Sequence, residues 1–239
     1  MSSLHSRKKE SYKIFDQIAP TYDSLNHLLS FGIDVYWRKQ MMKVLPQGEN
    51  LQALDLACGT GDVSIVLGRQ KKVGSVEGLD LSEGMISHGR QKIATRGLSE
   101  KIKLEIGDGV TIPRPDKSVD VVTLTFGIRN FSDPRESLKN IYRVLKPGGR
   151  GMVLEFSIPA NPIVRWVYFF YFRYVLPFVG NLLSGHGDAY TYLNKTVEDF
   201  PYGEHFADWM REAGFRDVKY RVLTFGIATL YWGDKPVEK

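Results

Sequence analysis

Between residues 51 and 156, short apolar runs alternate with amphipathic stretches. Residues 51–57 form a brief apolar run that predicts a buried strand, and residues 61–69 predict the helix after it. Residues 74–79 predict a second strand ending at Asp80. Ser82 is the N-cap candidate for a helix running to about Thr95. Residues 102–106 and 119–125 predict strands three and four, the latter rich in β-branched side chains. Residues 134–145 predict a helix, closed by the stop signal Lys146-Pro147-Gly148-Gly149, and residues 151–156 a fifth strand. Strands alternating with helices imply right-handed βαβ units and a parallel sheet. Residues 222–232 read as a strand pair or one long strand, which adds a late antiparallel hairpin.

Both flanks of this rhythm are helical in pattern. Ile14, Phe15, Ile18, Trp37, Met41, Met42 and Leu45 recur at helical spacing, with turns around Ala19-Pro20 and Phe31-Gly32. Residues 1–45 therefore read as an N-terminal helical lid and tail, and residues 46–239 as the main domain. From Ile163 to Leu176 the chain is almost wholly apolar and aromatic, broken by Arg165 and Arg173 on the same half of a helix. A transmembrane span needs about 20 apolar residues with few charges. Two arginines and then Pro177 argue against one. The segment reads either as a helix covering the sheet, or as a lid over an apolar substrate that rests on a bilayer surface. Residues 158–205 are read as a helical substrate-cover insertion within one structural domain.

Composition narrows the class. A chain of 239 residues with 43% hydrophobic and 25% charged residues suits one soluble α/β domain. The net charge of +5 is spread along the chain, which argues against nucleic acid but is compatible with an anionic membrane surface. Cys58 is a single cysteine, so no intramolecular disulfide forms. The polar stretch from Ser2 to Glu10 has no apolar run behind it and is not a secretory signal. No His/Cys/acid set has metal spacing, and no metal is expected.

The candidate chemistry begins at Gly59-Thr60-Gly61, directly after strand one and opening a helix. Glycine lets the backbone pass close to a ligand, and helix N–H groups then face it. Asp80 ends strand two, where a carboxylate can take both hydroxyls of a ribose. Asp108-Gly109 follows strand three, where an acid can meet an adenine amino group. A nicotinamide fingerprint would place a third glycine where Ser64 stands. Asp62 beside the turn would repel a pyrophosphate but suits the amino group and sulfonium of S-adenosylmethionine. Asp62 could equally be an ordinary first-turn acid.

Longer motifs point to a family. Tyr22-Asp23-Ser24-Leu25-Asn26-His27-Leu28-Leu29-Ser30-Phe31-Gly32, followed by Trp37, resembles the N-terminal signature of the ubiquinone/menaquinone biosynthesis C-methyltransferases. Arg143-Val144-Leu145-Lys146-Pro147-Gly148-Gly149, continuing to Leu154-Glu155-Phe156-Ser157, resembles their second signature. Phe126-Gly127-Ile128-Arg129-Asn130, Ala189-Tyr190-Thr191-Tyr192-Leu193 and Ala213-Gly214-Phe215 also match. Leu25 replaces the usual Met, and Tyr231 stands where a His is common. The resemblance implies a class I S-adenosylmethionine-dependent methyltransferase fold, α/β, with a seven-stranded, mostly parallel sheet. It places the cofactor on Gly59, Thr60, Gly61, Asp62, Asp80, Asp108, Gly109 and Thr125.

The implied reaction is methylation of a ring carbon of a polyprenylated quinol. The ring must be the reduced quinol, because its carbon is a poor nucleophile until a hydroxyl loses its proton. Arg129 cannot serve as a base. It is expected to stabilise a developing phenolate or polarise a water, unless it is a salt-bridge partner. Asn130 orients the quinol oxygen, and Tyr22 and Asp23 belong to the lid. Asp188, Tyr190, Phe169 and Phe172 are read as substrate-lining. His27 and His186 read equally as turn residues or acid–base groups. The partners implied are the lipophilic quinol and a peripheral membrane contact, with a homo-oligomer left open. No mitochondrial-type extension is visible, which favours a bacterial cytoplasmic enzyme on the menaquinone side. Two alternatives stay open: the same fold acting on another lipophilic acceptor, or a non-catalytic scaffold.

Overall fold

The computed structural model describes residues 16, 19, 22, 23, 26–178 and 194–237. Seven strands form one sheet in the order β3-β2-β1-β4-β5-β7-β6. They are β1 (Leu51–Leu56), β2 (Val73–Asp80), β3 (Ile102–Ile106), β4 (Val119–Thr125), β5 (Leu145–Phe156), β6 (Arg216–Leu223) and β7 (Ala228–Asp234). Neighbours among β1 to β5 pair in parallel, and β7 runs antiparallel to both β5 and β6. The parallel core is as the pattern predicts, and the late antiparallel hairpin forms but begins at Arg216, six residues before the stretch read from sequence. β5 begins six residues early, because Leu145 already pairs with Val119 while Lys146–Gly149 bulge out before Arg150 meets Val121.

The helices are α1 (Ile33–Met42), α2 (Asp62–Gly68), α3 (Glu83–Thr95), α4 (Pro134–Val144), α5 (Pro162–Phe170) and α6 (Glu204–Glu212). Ser82 caps α3 as predicted, its hydroxyl accepting from the Met85 amide at 3.1 Å. Asp133 caps α4 in the same way, accepting from the Glu136 amide ahead of Pro134. Alternation along each strand divides the core into two. On one face Ala53, Val76, Val121 and Leu154 pack against Trp37 and Met41 of α1, Val63 and Leu67 of α2, and Ile86 and Ile93 of α3. On the other, Leu54, Leu56, Val122, Leu124 and Val153 pack against Leu138 and Ile141 of α4 and Phe206 and Met210 of α6. Tyr231, the departure from the family pattern, is fully buried here, and its phenol oxygen accepts from the Gly203 amide at 2.7 Å.

The chain leaves β1 toward β2 and β3 and later returns to β4 on the opposite side. The carboxyl ends of β1 and β4 therefore flank the switch point, where open α/β sheets hold ligands. Among the described residues no helix is long and apolar enough to cross a membrane.

Candidate functional site

The turn after β1 sits in an uncommon backbone region. Ala57, Gly59 and Gly61 have φ of 48°, 54° and 80°. For Ala57 this left-handed value costs of order 1 kcal/mol, strain of the kind that clusters at functional sites. Phe126, at the end of β4, repeats it at φ 55°. Gly127 beside it has no room for a side chain, since a Cβ there would stand 2.5 Å from that of Ala57. The two strand ends are thus pressed together by residue choice on both.

Asp80 joins the next two strand ends. Its Oδ2 accepts from the Gly59 amide at 2.8 Å, and its Oδ1 from the Ser82 amide at 3.0 Å. Burial pushes its carboxyl above the ordinary range, against these amide bonds. Asp108 follows β3 and accepts from the Val110 amide at 2.8 Å. A Cβ on Gly109 would lie 2.4 Å from the Phe131 ring, so the glycine lets that ring close the wall.

These residues enclose a cavity of about 360 Å³ lined by Tyr22, Gly59, Asp80, Asp108, Gly109, Thr125 and Asn130, with Leu81, Met85, Val110, Phe126 and Phe131 as apolar walls. That volume is within the usual range for small-molecule sites. The first seven are residues that the sequence places at the site, and here they come together.

Other residues expected at the site make contacts outside this lining. The Thr60 hydroxyl and the Asp62 carboxylate lie behind the turn, outside the cavity lining. Thr60 donates to Asp23 at 2.5 Å, and Asp62 accepts from Lys92 at 2.8 Å, with Arg38 at 3.5 Å and His27 at 3.7 Å. The Asp62 carboxylate thus faces three nitrogens of the protein itself. Gly61 also points away: a Cβ there would meet Leu104 at 3.2 Å. His27 lies in a helical stretch rather than a turn, and its Nδ1 is within hydrogen-bond distance of Asp34 Oδ2, at 2.7 Å. His27, Asp34 and Asp62 come together with ligand atoms within 4.8 Å, although nothing in their spacing announces it. Arg38 and Lys92 already bind those carboxylates.

Arg129 lies in the one-turn helix Ile128–Asn130 after β4. Its Nη1 donates to Glu155 Oε1 at 2.6 Å and to the Phe126 carbonyl at 2.5 Å, and the pair is 5% and 2% exposed. The salt-bridge reading is therefore correct. It does not exhaust the side chain, because Nε is buried without a hydrogen-bond partner among the described residues. Asn130 Oδ1 and Tyr168 Oη share that condition. Burial pushes the Tyr22 phenol up, opposed by a hydrogen bond with Asn26 and by the nearby Arg129 charge.

An aromatic column leads away from the cavity. Phe126 stacks on Phe156 at 4.4 Å, Phe156 meets Phe172 at 6.0 Å, and Phe172 meets Tyr168 at 4.5 Å. Tyr168, Phe172 and Leu176 form the buried stripe of α5 and its π-helical continuation Tyr171–Val175. Phe169 is half-buried under the Arg173 guanidinium at 4.6 Å. The outward stripe is Ile163, Trp166, Phe170, Tyr174 and Phe178. Asp188, Tyr190 and His186 lie outside the described residues.

A sequence model of the ubiE/COQ5 methyltransferase family matches residues 2–235. A ubiquinone/menaquinone biosynthesis C-methyltransferase of Geobacter sulfurreducens is 46% identical over 236 residues, covering 98% of this chain and 92% of that protein. A demethylmenaquinone methyltransferase of Thermus thermophilus is 43% identical over 223 residues, covering 93% of this chain and 100% of that protein. Among solved structures, an S-adenosylmethionine-dependent methyltransferase of Thermotoga maritima matches with a TM-score of 0.68 at 20% identity, over 94% of this chain and 99% of that one. The [4+2]-cyclase SpnF matches with a TM-score of 0.71 at 16% identity, over 95% of each chain. At such identities the likeness is one of fold alone, and the cyclase illustrates that one fold hosts different chemistries.

Proposed function

Because the chain belongs to the ubiE/COQ5 methyltransferase family, we propose that it transfers a methyl group from S-adenosylmethionine to a ring carbon of a polyprenylated quinol. The acceptors are demethylmenaquinol, giving menaquinol, and/or 2-polyprenyl-6-methoxy-1,4-benzoquinol. The observation that carries this reading is one cavity that brings together Asp80 and Asp108 on adjacent strand ends and Asn130 on the β4 side.

The cavity suits the cofactor by its own features. Asp80 keeps acceptor capacity beyond its two amide bonds, for the hydroxyls of a ribose. Gly59 leaves open backbone, with Tyr22 the nearest neighbour to its missing Cβ at 4.0 Å. Asp108 and Gly109 would hold the adenine side against Leu81, Val110 and Phe131, and Thr125 closes the floor. When bound, the sulfonium supplies an already activated methyl group, so the chain need not generate an electrophile.

What remains for the protein is to orient the acceptor ring, handle its hydroxyl and exclude water. Asn130 Oδ1, buried and unpartnered among the described residues, accepts from a quinol hydroxyl. Arg129, held by Glu155, lies outside the cavity lining but next to Asn130, and its positive charge favours negative charge building on the oxygen. Tyr22 walls off the cofactor side. The acceptor's prenyl tail follows the aromatic column toward α5. The outward stripe of α5 then rests on a bilayer surface, where apolar side chains on one helical face gain from burial among lipid. Residues 158–205 serve as the substrate cover, and residues 1–45 as the lid.

The deciding experiment supplies purified protein with S-adenosylmethionine and each reduced quinol, and separates the products by mass. Gain of one methyl group on demethylmenaquinol or the methoxybenzoquinol is the expected result. Cofactor binding without methylation of either quinol would remove the acceptor assignment. No cofactor binding would favour the scaffold.

A further inference from the structure

The glycine turn is gripped from behind by a side chain outside the cavity lining. Lys92, on α3, places its ammonium 2.5 Å from Asp23 Oδ2, 2.7 Å from Thr60 Oγ1 and 2.8 Å from Asp62 Oδ1. Three N–H donors meet three oxygens, the full complement of an ammonium. The acceptors come from two separate parts of the chain: the N-terminal segment and the turn that opens α2. The Thr60 hydroxyl closes the ring by donating to Asp23 Oδ1. The Lys92 side chain is 14% exposed, so these bonds are poorly screened by water.

This grip bears on the cavity through Tyr22. Tyr22 is the immediate neighbour of Asp23, lines the cavity, and stands beside Gly59. Its segment has few apolar anchors among the described residues: Ala19 and Tyr22 pack with Met85. Another polar tether among the described residues is Asp16, which accepts from the Gly84 amide at 3.0 Å and from the Ser82 hydroxyl. Both tethers end on α3. That helix is thus the post on which the Tyr22 wall is hung, and Lys92, beside the direct Thr60–Asp23 bond, ties the wall to the turn.

We infer that Lys92 is a positioning residue that latches the Tyr22 wall against the glycine turn and thereby sets how long the cofactor stays bound. Lys92 lies outside the cavity lining, and acts through Asp23 and Thr60. The inference rests on the reading of the cavity as the cofactor site. Asp62, expected to face the sulfonium, gains its explanation here as the third oxygen of the latch.

The test compares the full-length parent with Lys92→Met and Asp23→Asn. Calorimetry gives the dissociation constant for S-adenosylhomocysteine, and stopped-flow displacement gives its release rate. The latch predicts weakening and faster release of about tenfold or more in each variant, the scale of a lost charge-assisted hydrogen bond. The association rate and the rate at saturating cofactor should change much less. The double variant should lose little beyond either single one, because both remove the same contact. Should Lys92→Met fail to fold, Asp23→Asn carries the same comparison. A folded variant whose affinity and release rate stay within about twofold of the parent overturns the latch. If the parent itself binds no S-adenosylhomocysteine, the cofactor reading fails instead. Amide exchange of residues 22–32 in ligand-free protein then judges the contact alone: unchanged exchange in Lys92→Met overturns it.

Discussion

Glu155, at the end of β5, accepts a hydrogen bond from Arg129 at 2.6 Å, and both side chains are closed to solvent. Glu155 also accepts from the Phe156 amide at 2.8 Å, so its carboxylate is doubly held. Removing one member of such a buried pair leaves an uncompensated charge and costs about 3–5 kcal/mol. Glu155→Gln should therefore destabilise on that scale in urea unfolding. It should also lower the methylation rate, because Arg129 loses its orientation. The double change Arg129→Met with Glu155→Leu should recover much of the stability and none of the activity. A loss under about 1 kcal/mol for Glu155→Gln would show that the pair does not hold the site.

Tyr168 makes the opposite case. Its ring is packed against Phe172 and is 5% exposed, yet its hydroxyl has no hydrogen-bond partner among the described residues. A buried unsatisfied hydroxyl costs about 1–3 kcal/mol. Tyr168→Phe should then raise the thermal midpoint. A lower midpoint would mean that the hydroxyl is in fact paired.

Asp55 gives a pH signature. It lies within β1, is 1% exposed, and accepts from the Ser64 and Thr123 hydroxyls, each at 2.7 Å. Burial nonetheless pushes its carboxyl from 3.8 up to about 6. A folded-state value above the unfolded one means that the native protein holds the proton more tightly. The favourable contribution is present below about pH 4 and is lost as pH rises through 6. A rise of that size is worth about 3 kcal/mol at most. Asn is nearly isosteric and uncharged, and both hydroxyls can rotate to suit it. The stability of Asp55→Asn relative to the parent should therefore climb between about pH 4 and 6 and level off above that. Urea unfolding across that range checks it, and a flat difference would refute the buried charge.

The parts of this site that were legible in the sequence are those set by local rules. Asp80 and Asp108 follow directly from strand ends, and Ser82 caps α3 because its hydroxyl meets an amide three residues on. Partner choice across the fold leaves no such local trace. Lys92 and Asp23 are 69 residues apart, and Arg129 and Glu155 are 26 apart, so spacing does not announce either pair. Nor does spacing announce that Asp62 meets Lys92: a first-turn acid looks alike whether it faces a ligand or a lysine. Helix α6 was missed although Phe206, Ala207 and Met210 lie on one buried face. Its N-cap is Gly203, which offers no capping side chain, so the start signal is absent.

The outward stripe of α5 yields the last prediction, and the fold changes which residues test it. Sequence alone reads Phe169 and Phe172 as substrate-lining and does not separate the inward face of this helix from the outward one. Phe172 is 6% exposed and belongs to the core, so Phe172→Ser should destabilise by about 3–5 kcal/mol and say nothing about membranes. Trp166, Phe170 and Tyr174 instead follow one another every four residues and are 69%, 51% and 66% exposed. Their rings contact in sequence at 6.0 and 5.6 Å. Being exposed in water, they can all become Ser with little effect on the thermal midpoint. If the stripe lies on a bilayer, the triple Ser variant should lose flotation with anionic liposomes. It should also slow methylation of a long-tailed quinol while leaving a tail-less quinol unaffected. Retained flotation with unchanged turnover of the long-tailed acceptor would exclude α5 as the contact.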